Sequence, residues 1–109
     1  MNNNTVKIDY PLLKWTLKYT VGGNYPNNQN TTITMDTGLY FVLFWQGAAW
    51  RTAEWLLTVT SYQCNVDVEL KGGYGVTFTG SNPTGNTKNT VTIKSTTACS
   101  GTFYFYKLN

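Results

Sequence analysis

Hydrophobic and polar residues alternate along most of this chain with a period of two. In "LLKWTLKYTV" (12–21), Leu13, Trp15, Leu17, Tyr19 and Val21 interleave with Lys14, Thr16, Lys18 and Thr20. Successive side chains of a strand point to opposite faces, so this pattern predicts a half-buried strand with one wet face. "CNVDVELK" repeats it, with Cys64, Val66, Val68 and Leu70 on one side and Asn65, Asp67, Glu69 and Lys71 on the other. Read as a helix, either segment would scatter its apolar residues around the whole circumference. Shorter strands are expected at Thr5–Asp9, Thr31–Asp36, Val76–Thr79, Asn89–Lys94 and Thr102–Leu108, and another at Trp55–Tyr62. Leu39–Trp45 is unbroken apolar sequence, which predicts a central strand covered on both sides.

Between these runs lie "VGGNYPNNQN", "DTG", "KGGYG", "GSNPTGNTKN" and "TTACSG", whose Gly, Asn and Pro residues suit turns. "QGAAWRTAEWLL" stands apart, because Ala48, Ala49, Ala53, Glu54 and Leu56 are tolerated well in helices. At most one short helical turn near residues 47–54 is expected there, as a connection. Seven to nine short strands separated by turns predict an antiparallel β-sandwich, immunoglobulin-like or jelly-roll, as one domain over residues 1–109. The Cys–Trp–Cys arrangement of true immunoglobulin domains is missing, since no Trp lies between Cys64 and Cys99.

Composition narrows the function. Charged residues make up 12% of the chain and aromatics 16%. Thr and Asn supply the polarity that charges normally would, as on a surface facing neighbours in an assembly or a neutral glycan. Thr on the exposed faces of strands explains the same composition without any partner. The net charge of +3, from seven lysines, Arg51 and five acids, is too small and scattered for a nucleic-acid footprint. No apolar run approaches a membrane span, and "MNNNTVK" has no apolar signal region, so membrane insertion is not expected and secretion is not evident. A virion location is expected if the source is viral, and a soluble one otherwise.

Candidate chemistry is sparse. Without histidine, triad catalysis and most zinc sites are excluded. Cys64 and Cys99 read as two thiols more readily than as one bridge. "NNT" at Asn3 and "NTT" at Asn30 match the glycosylation acceptor pattern, which has meaning only in a secretory pathway. Asp67 and Glu69, two apart on a strand, have the spacing of a carboxylate pair, but Asn65 and Lys71 continue the row as any wet face would. No catalytic residue, metal or cofactor is therefore expected.

Binding candidates remain. Trp15, Trp45 and Trp55 read as core. Trp50, beside the lone Arg51 in a connection, is either an outward anchor or a lid on one end of the sandwich. Tyr25 in "GNYPNNQN" and Tyr74 in "GGYG" are loop aromatics beside amide and hydroxyl groups, and "GSNPTGNTKN" offers further loop surface. The termini, Asn2, Asn3, Asn4, Leu108 and Asn109, are candidate assembly contacts. Two functions fit. One is a non-catalytic structural protein, most simply a small virion component such as a capsid decoration or fibre-associated protein, binding coat subunits or copies of itself. The other is a carbohydrate-binding or adhesion module.

Overall fold

The computed structural model describes residues 14–25, 30–48, 51–81, 88–97 and 99–109, with the side chains of residues 24 and 25 excepted. The expected strand at Thr5–Asp9 and the residues Asn2, Asn3, Asn4 and Trp50 lie outside them. Eight strands follow in order: β1 (Trp15–Tyr25), β2 (Asn30–Asp36), β3 (Gly38–Trp45), β4 (Thr52–Val59), β5 (Cys64–Lys71), β6 (Val76–Ser81), β7 (Lys88–Ser95) and β8 (Cys99–Leu108). They form two antiparallel sheets, one of order β1-β8-β3-β4-β5 and one of order β2-β7-β6. The order β8-β3-β4-β5 is a Greek key: three consecutive strands and a fourth that returns beside the first. The return passes through β6 and β7 of the other sheet. This is the antiparallel sandwich the alternation predicts.

The core fills the space between the sheets. Tyr40, Val42 and Phe44 of β3, Ala53, Trp55, Leu57 and Val59 of β4, and Phe103 and Phe105 of β8 face Met35, Phe78, Val91 and Ile93 from the smaller sheet. Phe103 stacks on Phe44 at 4.2 Å, and the Trp55 ring meets Phe78 edge-on at 5.0 Å. Such pairs add about 0.5–1.5 kcal/mol beyond the area they bury. Asn89, though buried, is satisfied: its amide oxygen accepts from Ser81 N (2.8 Å) and its nitrogen donates to Thr60 O (2.8 Å). Gly80 is required where β6 crosses the start of β5, because a Cβ there would lie 2.5 Å from Cys64 N.

Several expectations change. Residues 52–54 belong to β4, and no helix occurs among the described residues. Pairing along all of β3 overrides the helix-tolerant composition, and β4 runs Thr52–Val59 instead of Trp55–Tyr62. The connection is tight, with Arg51 N donating to Ala48 O (2.9 Å) and Gln46 N to Arg51 O (3.2 Å). Residues 22–25 of the expected loop "VGGNYPNNQN" extend β1 against β8. β3 is covered on one face only: Tyr40, Val42 and Phe44 are buried, whereas Leu39, Phe41 and Leu43 stay half-exposed. Trp45 ends that strand at 38% exposure, and Trp15 is 43% exposed. Trp55 alone of the three is core.

Candidate interaction surface

Trp15 leaves the core because β1 contains one extra residue. Leu17 pairs with Tyr106 and Tyr19 with Phe105, so neighbours on β8 are matched by residues two apart on β1. Lys18 is the unmatched residue of a β-bulge, which reverses the facing of everything before it. Tyr19 and Val21 turn inward and pack against the core, while Trp15 and Leu17 turn outward. β5 repeats the device. Leu57 pairs with Val66 and Leu56 with Val68, leaving Asp67 extra; Trp55 pairs with Glu69 and Glu54 with Lys71, leaving Leu70 extra. Val68 thereby joins the outer face with Leu56. Bulges and charged residues on edge strands also blunt edge-to-edge pairing.

The consequence is one uninterrupted apolar row. Leu17, Tyr106, Phe41, Leu56 and Val68 are cross-strand neighbours in turn, spanning all five strands on the outer face. Leu17 is 48% and Val68 44% exposed. Beside the row, Trp15, Phe41, Leu43 and Tyr106 line an open groove of about 320 Å³. Its rings hold one another, Trp15 edge-on to Phe41 at 6.4 Å and Phe41 tilted to Tyr106 at 6.1 Å. The next row, Tyr104, Leu43, Glu54 and Lys71, ends in charge.

The predicted site residues fall elsewhere. Tyr25 ends β1 opposite Cys99. Arg51 is exposed at the β3–β4 connection. Tyr74 is half-buried, at φ 65°, with its ring edge-on to Phe44 at 5.8 Å, which makes it part of the core's rim. Leu108 pairs with Trp15. Asn109 clamps the start of β1, donating from N to Lys14 O (3.0 Å) and accepting from Lys14 N at Oδ1 (2.8 Å). None of these joins the five-strand row. That row was recoverable only by knowing the bulges at Lys18 and Asp67.

Little on the described surface resembles catalytic machinery. Asp67 accepts a hydrogen bond from Thr58 Oγ1, and Glu69 accepts one from Trp55 Nε1 at 3.3 Å. Thr58 lies on the outer face and Trp55 on the inner, so the two carboxylates are engaged on opposite sides of the sheet. Asp36 binds Lys18 (3.2 Å) and lies 3.7 Å from Lys88. The Lys18 hydrogen bond, with the charges of Lys18, Lys88 and Lys107, holds its carboxyl below the ordinary 3.8 despite a contrary push from burial. Tyr19 and Tyr40 secure the same corner through Asp36 N (2.8 Å) and Asp36 O (2.7 Å). Burial, then the charges of Tyr19 and Asp36, push the Tyr40 hydroxyl far up. Both cysteines are free thiols, and burial, with the Asp67 charge second, pushes Cys64 up to about 11. No group of three His, Cys, Asp or Glu among the described residues could hold a metal, and no described helix is long and apolar enough to cross a membrane. Comparison with protein-family models, curated proteins and solved structures finds no match.

Proposed function

We propose that this chain is a non-catalytic assembly protein that docks on protein neighbours through the outer face of its five-stranded sheet. The row Leu17–Tyr106–Phe41–Leu56–Val68 carries the reading. Five strands about 4.8 Å apart and three rows about 6.8 Å apart span a face of roughly 500 Å², of which the apolar part is about 300 Å², because Thr58, Asn65, Glu54 and Lys71 occupy the ends of the flanking rows. An apolar patch of that size is at the lower end of the largest patch that a typical monomer leaves open, and such patches are often functional. Leucine and valine along the row offer shape and area but no hydrogen bonds, which suits a protein surface. A charged fraction of 12% fits a chain with much of its surface against neighbours. The finer reading is a small virion component, a capsid decoration or fibre-associated protein seated on coat subunits.

A carbohydrate-binding module is the second reading, favoured by the rings of Trp15, Phe41 and Tyr106 around one groove. Sugar-binding sites also need convergent polar groups, and the aliphatic row beside this groove lacks them.

Lysine cross-linking of the native assembly tests the reading. Lys14 and Lys71 flank the apolar face, whereas Lys94 lies on the outer face of the other sheet. Intermolecular links are expected from Lys14 and Lys71. Links confined to Lys94 and Lys88 would refute the docking face, and a glycan array that loses its signal in Trp15→Ala would favour the second reading.

A further inference from the structure

The strand edges of the sandwich are not protected alike. β1 and β5 border the larger sheet, and β2 and β6 border the smaller. β1 is bulged at Lys18, while β5 is bulged twice and carries Asp67, Glu69 and Lys71. β6 is covered: Val76 and Phe78 are buried, and Gly80 lies against the backbone of Gln63 and Cys64. β2, "NTTITMD", has no bulge, proline or lysine, and its Asn30, Thr32 and Thr34 are exposed. Native proteins blunt or cover their edges, because a row of unpaired N–H and C=O groups is a template for another strand.

The groups on this open edge can be assigned. Asp36 N donates to Tyr19 Oη (2.8 Å) and Asp36 O accepts from Tyr40 Oη (2.7 Å), so the backbone of Asp36 points away from β7. Antiparallel strands alternate in which side their backbone groups face, and the β2–β7 ladder has no register shift. The N–H and C=O of Asn30, Thr32 and Thr34 therefore also point away from β7. The bond from Thr96 N to Gly75 O (3.2 Å) fixes the same alternation from the β6 side.

We infer that the open edge of β2 pairs antiparallel with β2 of a second copy of this chain, about a two-fold axis through Thr32. The edge is its own complement. Centred on Thr32, the pairing uses every free group: Asn30 exchanges bonds with the partner's Thr34, Thr32 with the partner's Thr32, and Thr34 with the partner's Asn30. A register centred on Ile33 would instead set Asn30 against Asp36, whose groups Tyr19 and Tyr40 already hold. The Thr32 register also lays the half-buried Ile33 beside the partner's Thr31 on the inner side. No like charges meet, since the one acid of β2, Asp36, stands at the far end, bound to Lys18 and Lys88. Such a pairing is isologous and joins two three-stranded sheets into one continuous sheet. It is separate from the outer face of the larger sheet, and neither contact requires the other.

Sedimentation equilibrium of the full chain, with the variants T32P, T32K and T32E, tests the inference. The N–H of Thr32 points away from β7, so T32P removes no bond within the fold, and an edge strand accepts proline at such a position. The parent chain is expected to dimerise, and T32P to weaken the dimer about 10-fold or more, because both bonds of the central pair are lost. T32K and T32E each set like charges opposite one another and should weaken pairing by up to about 5-fold, whereas an equimolar mixture of the two should pair better than either alone. Circular dichroism is expected to show the parent fold in each variant; if T32P unfolds, the mixture decides. A monomeric parent, a dimer unmoved by a folded T32P, or a mixture no stronger than its components overturns the inference. A dimer weakened by L17E but by no change at Thr32 belongs to the outer face, which overturns edge pairing and supports the docking face.

Discussion

The two sheets of this sandwich share one interior and turn different faces outward. The outer face of the smaller sheet is a regular field of hydroxyls: Thr32, Thr92 and Thr79 form one cross-strand row, and Thr34, Thr90 and Ser81 form the next. No register shift interrupts either ladder of that sheet. The outer face of the larger sheet carries an apolar row across all five strands, and both of its edge strands are bulged. Regular alternation keeps a face wet, and single inserted residues deliver hydrophobes to the opposite side of the larger sheet. Width contributes too. Three strands cannot cover the inner face of five, so Val66, paired with inward-facing Leu57, is still 42% exposed.

Removing the shared interior should produce the largest effect. Trp55→Ala leaves a cavity among Phe78, Phe103 and Val42, and is expected to cost about 3–5 kcal/mol in chemical denaturation, enough to threaten folding. Rewriting the wet face comes next. Thr32→Val, Thr79→Val and Thr92→Val together would give the smaller sheet an apolar row of its own. Light scattering should then show association beyond that of the parent chain, with the stability of the fold changed little, because Val and Thr both suit exposed strands.

A subtler change targets the bulge. Deleting Lys18 makes Leu17 and Tyr19 consecutive on a regular β1, facing opposite sides as they do now. The fold and the exposure of Trp15 should persist, at a cost of about 1 kcal/mol or less from the lost ion pair with Asp36. If the deletion instead buries Trp15, seen as a blue-shifted emission, the bulge has been misassigned. The smallest effect is acid sensitivity at the same corner. Because the folded carboxyl of Asp36 titrates below its ordinary 3.8, its contribution is present above that value and is lost as pH falls through the folded value. Denaturation between about pH 5 and about pH 2 should show that loss, and Asp36→Asn should remove the corresponding part of it.

The smaller sheet was legible in the sequence. Its strands were expected at 31–36, 76–79 and 89–94, and the ladders agree within two residues, because nothing disturbs their alternation. The larger sheet was legible in its strands but not in its facing. Counting by twos through "LLKWTLKYTV" puts Trp15 and Tyr19 on one side; only pairing with β8 reveals that Lys18 takes no partner. The same blindness at Asp67 and Leu70 made "CNVDVELK" look evenly two-faced. "AAWRTAEWLL" misled for another reason. Local composition tolerates a helix, and the strand from Thr52 onward exists because β3 lies alongside to pair with it. Residue type marks Tyr25 and Tyr74 as loop aromatics but carries no information about which ring the fold tucks against Phe44, as it does Tyr74.

Nuclear Overhauser contacts of two methyl-bearing residues test the apolar row most directly. Leu17 methyls should contact the Tyr106 ring, and Val68 methyls should contact Leu56. Contacts from Leu17 to Phe105, or from Val68 to Leu57 and Trp55, would place those residues inside and leave the larger sheet without its docking face.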